Sequence, residues 1–409
     1  MVQLAQHGRK PVGEHLNSNL GGGPMFNWFD AAMAQRVDDL TLHHCERTRA
    51  LGELKQLARL FGKGYLRALH SEMTAGLITQ GGPARVLQIK LAWIDKIPLA
   101  KPFNRTKKTE LGDAVLLAIE EQRIAGQPTP VTRRARAVLL QAKVTQRYAQ
   151  TKRPTVPISP MAGSTKDEYE LLSAWPEFDL YKTSGNTHPL ATAINLNAAK
   201  TTPQPFGWYV GAPRCNQIPS NVTTTWPSWW MLGPSIQGDG CVVSFGAFLR
   251  SFLCNSTIIT SSGPLAAGEP FNYPSNSTSK ASLTGWDRVC AEIIDIVEDK
   301  NMPAPQSIFG ANTSRIVSMD EIHLSFIAPM SECNSYLSWL PPGNPRALRF
   351  FRGPHERFYP LFPDQYPQLP ADIFVGWHAS QPGRPRSSRN LHRRTPVLIF
   401  RSVIYEGEG

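Results

Sequence analysis

The sequence predicts an α/β (α+β) fold: an N-terminal helical segment, a mixed sheet core in the order α-β-β-β-α-β, and a mixed α/β C-terminal module. Three observations predict it. Leu51, Leu54, Leu57, Leu60, Phe61, Leu66 and Leu69 recur every three or four residues, the period of an amphipathic helix. After Gly81-Gly82-Pro83 the period falls to two, as a strand requires. A chain of 409 residues exceeds what one hydrophobic core usually holds, so a further module is expected.

Residues 1–24, ending in Gly21-Gly22-Gly23-Pro24, lack apolar periodicity and read as a flexible leader, with Met25 a second candidate start beside Met1. Phe26 to Ile78 reads as one or two long helices. Ala84 to Asp95 alternates Val86, Gln88 and Lys90 against Leu87, Ile89 and Leu91, giving the first strand. A basic loop, Lys101 to Lys108, leads into Asp113 to Ile119, which is apolar on both faces and therefore central in a sheet. Arg134 to Thr145 is the third strand, and the short Gly/Pro turn at Gly126 to Pro130 makes the last two a hairpin. Beyond Pro154, Pro157 and Pro160, Thr165 to Trp175 reads as a helix and Phe178 to Thr183 as a strand.

These elements place one domain at residues 25–190. The remainder, 191–409, is expected to form a mixed module, with helices at Phe245 to Cys254 and Trp286 to Asp299 and a final strand at Pro396 to Tyr405.

Hydrophobic residues make up 41% and charged residues 18%, a globular balance. No apolar run approaches the roughly 20 residues that cross a bilayer, and His7, Arg9, Lys10, Glu14 and His15 stand where a signal peptide needs apolar residues. No membrane contact and a cytoplasmic location are therefore expected, and the Asn-x-Ser/Thr triplets at Asn221, Asn255 and Asn276 are chance matches. Cys45, Cys215, Cys241, Cys254, Cys290 and Cys333 form no Cys-x-x-Cys pair, which argues for reduced thiols rather than a zinc ribbon or a disulfide framework. The net charge of +11 suits a polyanionic partner, since Lys and Arg release counterions from phosphate backbones.

The chemistry concentrates in Glu110-Leu111-Gly112-Asp113 and Gln141-Ala142-Lys143. In a strand, Gln141 and Lys143 project from one side, and hairpin pairing brings Asp113 toward Gln141. Such a set suits a hard cation, because Mg²⁺ prefers oxygen ligands and keeps several waters. Lys143 would orient a water or neutralise charge developing in a transition state. Lys107, Lys108, Arg133 and Arg134 are the candidates for gripping nucleic acid.

Glu110-Leu-Gly-Asp113 followed by Leu139-Leu-Gln-Ala-Lys143 resembles the PD-(D/E)xK, or restriction-endonuclease-like, nuclease superfamily in its Gln-x-Lys variant. The two segments are also similar to those of uncharacterised bacterial proteins associated with it. The resemblance covers roughly residues 26–185 and implies a helix, a three-strand meander, a helix and a further strand. It implies a metal-dependent endonuclease in which Asp113, Gln141 and Glu110 hold Mg²⁺ or Mn²⁺ and Lys143 is catalytic. It implies DNA ahead of RNA as substrate, and a role in bacterial defence against foreign DNA. Gln141 stands where an acid is usual, so a further carboxylate matters, and Glu46, Glu53 and Glu72 on the first helices compete with Glu110 for that place. Gly112 would permit a bulge that turns Glu110 toward Asp113.

Two other classes remain open. One is a nonenzymatic nucleic-acid-binding or assembly module, with a homo-oligomer or a partner protein. The other is a structural, viral coat-like protein, suggested by the Pro/Ser/Thr/Asn-rich second half. His43-His44 and His70 with Glu72 read as structural, because no metal-ligand spacing accompanies them. The arginines at 346, 349, 352 and 357, those between Arg384 and Arg394, and Trp226, Trp229 and Trp230 are secondary candidates for nucleic-acid contacts. Ser261 and Ser262 lack a Gly-x-Ser-x-Gly elbow, and neither a Walker nor a dinucleotide phosphate loop occurs.

Overall fold

A computed structural model describes residues 26–45, 53–80, 83, 85–94, 98–124, 131–144, 163–182, 184–197, 206–212, 231–234, 243–260, 263–272, 280–298, 316–329, 358–360, 373–379 and 395–405. The leader at 1–24 lies outside them. The chain is a mixed α/β protein built on one large mixed sheet with helices on both faces.

The helical N-terminus is three helices rather than one or two: α1 (Ala31–Cys45), α2 (Glu53–Leu57) and α3 (Lys63–Gln80). A 3-10 turn follows α2, and extended Gly62 ends it, so a repeat of three or four residues persists while the chain changes direction. Asp30 caps α1, its Oδ1 accepting the Met33 N–H at 2.7 Å.

The sheet strands begin with β1 (Arg85–Ile94), followed by the short β2 (Leu99–Pro102) and β3 (Thr109–Glu110). Next come β4 (Ala114–Arg123), β5 (Val131–Val144), helix α4 (Gly163–Ala174), β6 (Phe178–Tyr181), β7 (Ala191–Ile194) and β8 (Gly207–Ala212). The rest are β9 (Met231–Pro234), β10 (Val243–Ser244), α5 (Phe245–Cys254), β11 (Thr257–Thr260), β12 (Gly263–Ala266), β13 (Glu269–Pro270) and α6 (Gly285–Glu298). Strands β14 (Ile316–Pro329), β15 (Phe358–Pro360), β16 (Ile373–Ala379) and β17 (Thr395–Tyr405) complete the described chain.

The main sheet runs β10-β9-β8-β5-β4-β17-β1-β14-β16-β15, with β13 also paired to β5. As expected, β4 and β5 form an antiparallel hairpin, Ala114 facing Leu140. The expected three-strand meander is interrupted, because β17 lies between β1 and β4, antiparallel to the first and parallel to the second. β4 and β17 carry apolar residues on both faces, and each needs two neighbours. Periodicity identifies such strands as central without saying which lies beside which.

The strand after α4 is corrected too. β6 does form, but it pairs with β2 in a separate four-stranded sheet, β3-β2-β6-β7. The strand that returns to lie parallel to β5 is β8, whose Trp208, Tyr209 and Val210 are buried. Strands from both sides of residue 190 therefore share one sheet, and the expected division between residues 25–190 and 191–409 runs through it.

Alternate residues feed two cores. Ala114, Leu116, Val138, Leu140, Leu398 and Phe400 face α1, α3 and α5, and α5 covers this side with Phe248, Leu249 and Phe252. Val115, Leu117, Ala137, Leu139, Val397 and Ile399 face the other way, against Leu171, Leu172 and Trp175 of α4 and Val289 and Ile293 of α6. Among the described residues, no helix is long and apolar enough to cross a membrane.

Candidate active site

Asp113 stands one residue before β4, and continuing the register places it opposite Gln141. The Asp113 N–H donates to the Leu140 carbonyl at 2.7 Å, tying the strand entry to β5. One carboxylate oxygen, Oδ2, accepts two bonds, from Gln141 Nε2 at 2.5 Å and from the Ala142 N–H at 2.8 Å. Asp113, Gln141 and Lys143 share parity with Val115 and Leu139, so all three lie on the sheet face that α4 covers. The expected pairing of Gln141 with Lys143 on one side, with Asp113 beside them, is what the hairpin produces.

Lys143 is 6% exposed and lies among carboxylates. Its Nζ is 2.7 Å from Glu168 Oε2 on α4 and 3.8 Å from Glu53 Oε2 on α2. Burial alone would lower its pKa, but Glu168, Glu53 and Asp113 together raise it, so the group is an ammonium at neutral pH. Lys143 is therefore a fixed positive charge and not a base.

The Asp113 carboxyl moves the other way, from 3.8 to about 7. Burial is the main cause; Glu168 and Glu110 add to it, while the Ala142 N–H and the Lys143 ammonium oppose it. A carboxyl poised near neutrality beside a permanent cation is the kind of perturbed pair found at reactive sites.

Glu110 reaches Asp113 only through its charge. It belongs to β3, in the small sheet, and the irregularity in the β4–β5 ladder falls at Glu120/Glu121, so the bulge expected at Gly112 does not form. Gly112 serves instead as a point of close approach, where a Cβ would lie 3.0 Å from the Leu140 carbonyl oxygen.

Among the first-helix candidates the structure brings Glu53 to the site. Glu72 pairs with Arg36 at 3.0 Å on the α1–α3 surface, and Glu46 lies outside the described residues. Glu168 is a site residue that the sequence does not mark. It follows β5 on α4, but an acidic residue in an Asp-Glu-Tyr-Glu run gives no sign that it turns to Lys143.

Among the described residues, no three His, Cys, Asp or Glu side chains are grouped as a metal ion requires. The ligand set Asp113, Gln141 and Glu110 is thus not preassembled. Gln141 spends its amide nitrogen on Asp113, and Glu110 is held in another sheet. Oxygen donors suited to a hard cation are nonetheless adjacent. Gln141 Oε1 is buried and accepts no hydrogen bond among the described residues, beside a carboxyl that can ionise near pH 7.

The four basic candidates separate. Lys107 is exposed on the β2–β3 loop beside α4. Lys108 is turned inward, Nζ donating to the carbonyls of Ser184 at 2.9 Å and Asn186 at 2.5 Å and lying 4.0 Å from the Tyr181 ring centre. Arg134 pairs with Glu120 at 2.6 Å, and with Arg133 it lies near the start of β5, about 30 Å along the strand from Lys143. Arg133 and Arg134 are therefore not part of the Asp113 site. Strand spacing alone would have shown this.

His43 packs edge to face on His44 at 5.2 Å and His44 on Tyr65 at 6.0 Å, as structural histidines do. His70 is buried. Cys254 and Cys290 are free thiols, both buried. Trp226, Trp229, Trp230, Ser261, Ser262 and the C-terminal arginine clusters lie outside the described residues.

No family model, no curated protein and no solved structure matches this chain.

Proposed function

We propose that this protein is a metal-dependent nuclease that hydrolyses phosphodiester bonds, with DNA ahead of RNA as substrate. One observation carries the reading: Asp113, Gln141 and Lys143 share one sheet face, with Glu168 and Glu53 closing on the lysine. Asp113 and Gln141, through its unpartnered Oε1, would hold the cation, with Glu110, whose charge acts on Asp113, a further carboxylate on the β3 side. Mg²⁺ or Mn²⁺ bound there supplies Lewis acidity toward a phosphate and toward water.

The remaining steps belong to the chain. Asp113 gives up its proton near pH 7 to become an anionic oxygen donor. Lys143, fixed between Glu168 and Glu53, presents a positive charge that needs no reorganisation when negative charge builds on a phosphate. α4 shields this pair from water on one side and strengthens its field. A cytoplasmic setting and a role against foreign DNA belong to the same reading. The buried thiols Cys254 and Cys290 are compatible with a reducing compartment.

Plasmid DNA and RNA incubated with Mg²⁺ or Mn²⁺ test it, comparing wild type with Asp113→Ala and Lys143→Ala. Each variant is expected to lose about 100-fold or more of the cleavage rate. Equal cleavage by all three removes this site. Protons and the cation compete for Asp113, so Mn²⁺ affinity should fall about tenfold for each pH unit below 7. Calorimetric titration at pH 6 and pH 8 measures this, and pH-independent affinity would exclude Asp113 as a ligand.

A nonenzymatic nucleic-acid-binding or assembly module is the second reading. It is favoured by the way Asp113 already accepts from Gln141 and the Ala142 N–H while Lys143 is already paired with Glu168. No cleavage by wild type under any of these conditions would select it.

A further inference from the structure

A cavity of about 510 Å³ lies between the β2–β3 loop and α4, lined by Asn104, Arg105, Thr106 and Lys107 on one side and Asp167 and Glu170 on the other. It shares both of its walls with the candidate active site. Thr109 of its lining precedes Glu110, and Asp167 precedes Glu168, the partner of Lys143.

The walls are held in place. Arg105 pairs with Asp167 at 3.2 Å and with Glu170, stapling the loop to α4. The Arg105 N–H donates to the Pro102 carbonyl at 2.9 Å, and the Phe103 N–H reaches the Glu177 carbonyl at 3.3 Å. Phe103, at the start of this fixed loop, is 59% exposed and is the one aromatic among the exposed large hydrophobics of the described residues. Lys107 is exposed as well.

These features sort a ligand by its parts. Carboxylates at Asp167 and Glu170 oppose a phosphate inside the cavity, whereas a nucleobase edge carries both donors and acceptors and suits walls of mixed polarity. Of the two cations in the lining, Arg105 is engaged by Asp167 and Glu170, and Lys107 is the exposed one, along which a sugar-phosphate backbone would pass. An exposed ring on a rigid loop offers a stacking surface that any base can use. A volume of this size accommodates one base with its sugar and is ordinary for a small-ligand site. Base pairs in a duplex cannot enter it without coming apart.

We infer that the β2–β3 loop and α4 hold an unpaired nucleotide of a single-stranded nucleic acid, its base stacked on Phe103 beside the cavity and its backbone on Lys107. The inference deepens the nuclease reading and rests on it for its purpose. It delivers a single-stranded or extruded segment, not an intact duplex, to Asp113 and Lys143.

Fluorescence anisotropy in EDTA tests it with fluorescein-labelled single-stranded DNA, single-stranded RNA of the same sequence, and the blunt DNA duplex. Wild type is expected to bind one or both single strands more tightly than the duplex. Phe103→Ala should weaken single-strand binding about tenfold, Phe103→Trp should restore it, and duplex binding should not change. Lys107→Ala should lower the salt slope of log K by about one. Both positions are on the surface, so the fold should survive both changes. Tighter binding of the duplex by wild type, or undiminished single-strand binding by Phe103→Ala, overturns the inference. Single-strand binding that depends on Phe103 without cleavage in Mg²⁺ or Mn²⁺ would uphold it and sink the nuclease reading. Unchanged binding and cleavage of single strands by Phe103→Ala would do the reverse.

Discussion

Folding makes the Asp113 carboxyl harder to ionise, because burial and the charges of Glu168 and Glu110 outweigh the Ala142 N–H and the Lys143 ammonium. Its folded pKa, about 7, lies above its ordinary 3.8, so the native state binds this proton more tightly than the unfolded chain. The resulting stability is complete below pH 4 and is lost as pH rises through 7. Without divalent cations, Asp113→Asn should therefore gain stability relative to wild type between pH 5 and pH 8, read from urea unfolding at both. A constant difference would contradict the raised pKa.

Lys143 makes the complementary case. Lys143→Met leaves Glu168, with 15% of its side chain exposed, without its cation, and should cost about 2–3 kcal/mol. Adding Glu168→Leu should recover most of that loss, and additive costs in the double-mutant cycle would show that the two residues do not act as a pair.

At the scale of elements, α1 and α5 cross where Gly246 leaves no room for a side chain. A Cβ there would lie 1.9 Å from the Ala34 carbonyl oxygen, and the Gly246 N–H donates to Asp38 Oδ1 at 2.7 Å. Helix propensity favours alanine over glycine by about 1 kcal/mol, but the obstacle is backbone and cannot swing aside. Gly246→Ala should thus destabilise by about 3 kcal/mol in denaturant unfolding, and a neutral result would show that the helices can separate.

Local pattern identified most of the long elements. The run at Phe245 to Cys254 is α5, Trp286 to Asp299 is α6 within a residue at each end, and Arg134 to Thr145 is the greater part of β5. β8, Gly207-Trp-Tyr-Val-Gly-Ala212, is too short and too rich in glycine to show a period in the sequence. β3, only two residues long, leaves no periodic signal, so the sequence does not show that Glu110 belongs to a strand of its own.

Across the whole molecule, the decisive feature is the insertion of β17 between β1 and β4. Arg401 of β17 reaches Glu121 of β4, its Nε 3.0 Å and its Nη2 2.5 Å from one carboxylate oxygen. A chain ending before Thr395 would expose the apolar edges of two central strands. It should fail to unfold cooperatively by circular dichroism and should be degraded quickly by protease. A stable, cooperatively folding truncation would mean that β1 and β4 can close on each other as a true meander.

The sequence by itself determined the mixed α/β class, the central strands, the hairpin, and the facing of Asp113, Gln141 and Lys143, because strand alternation and a short connection are local properties. Only the tertiary structure decided that Glu168 and Glu53 close on Lys143, that Glu110 stands in another sheet, and that Arg133 and Arg134 lie at the far end of β5. It also decided the neighbours of β1 and β4. Those outcomes depend on which distant segments pair across the sheet, and strands buried on both faces carry no local mark of their partners.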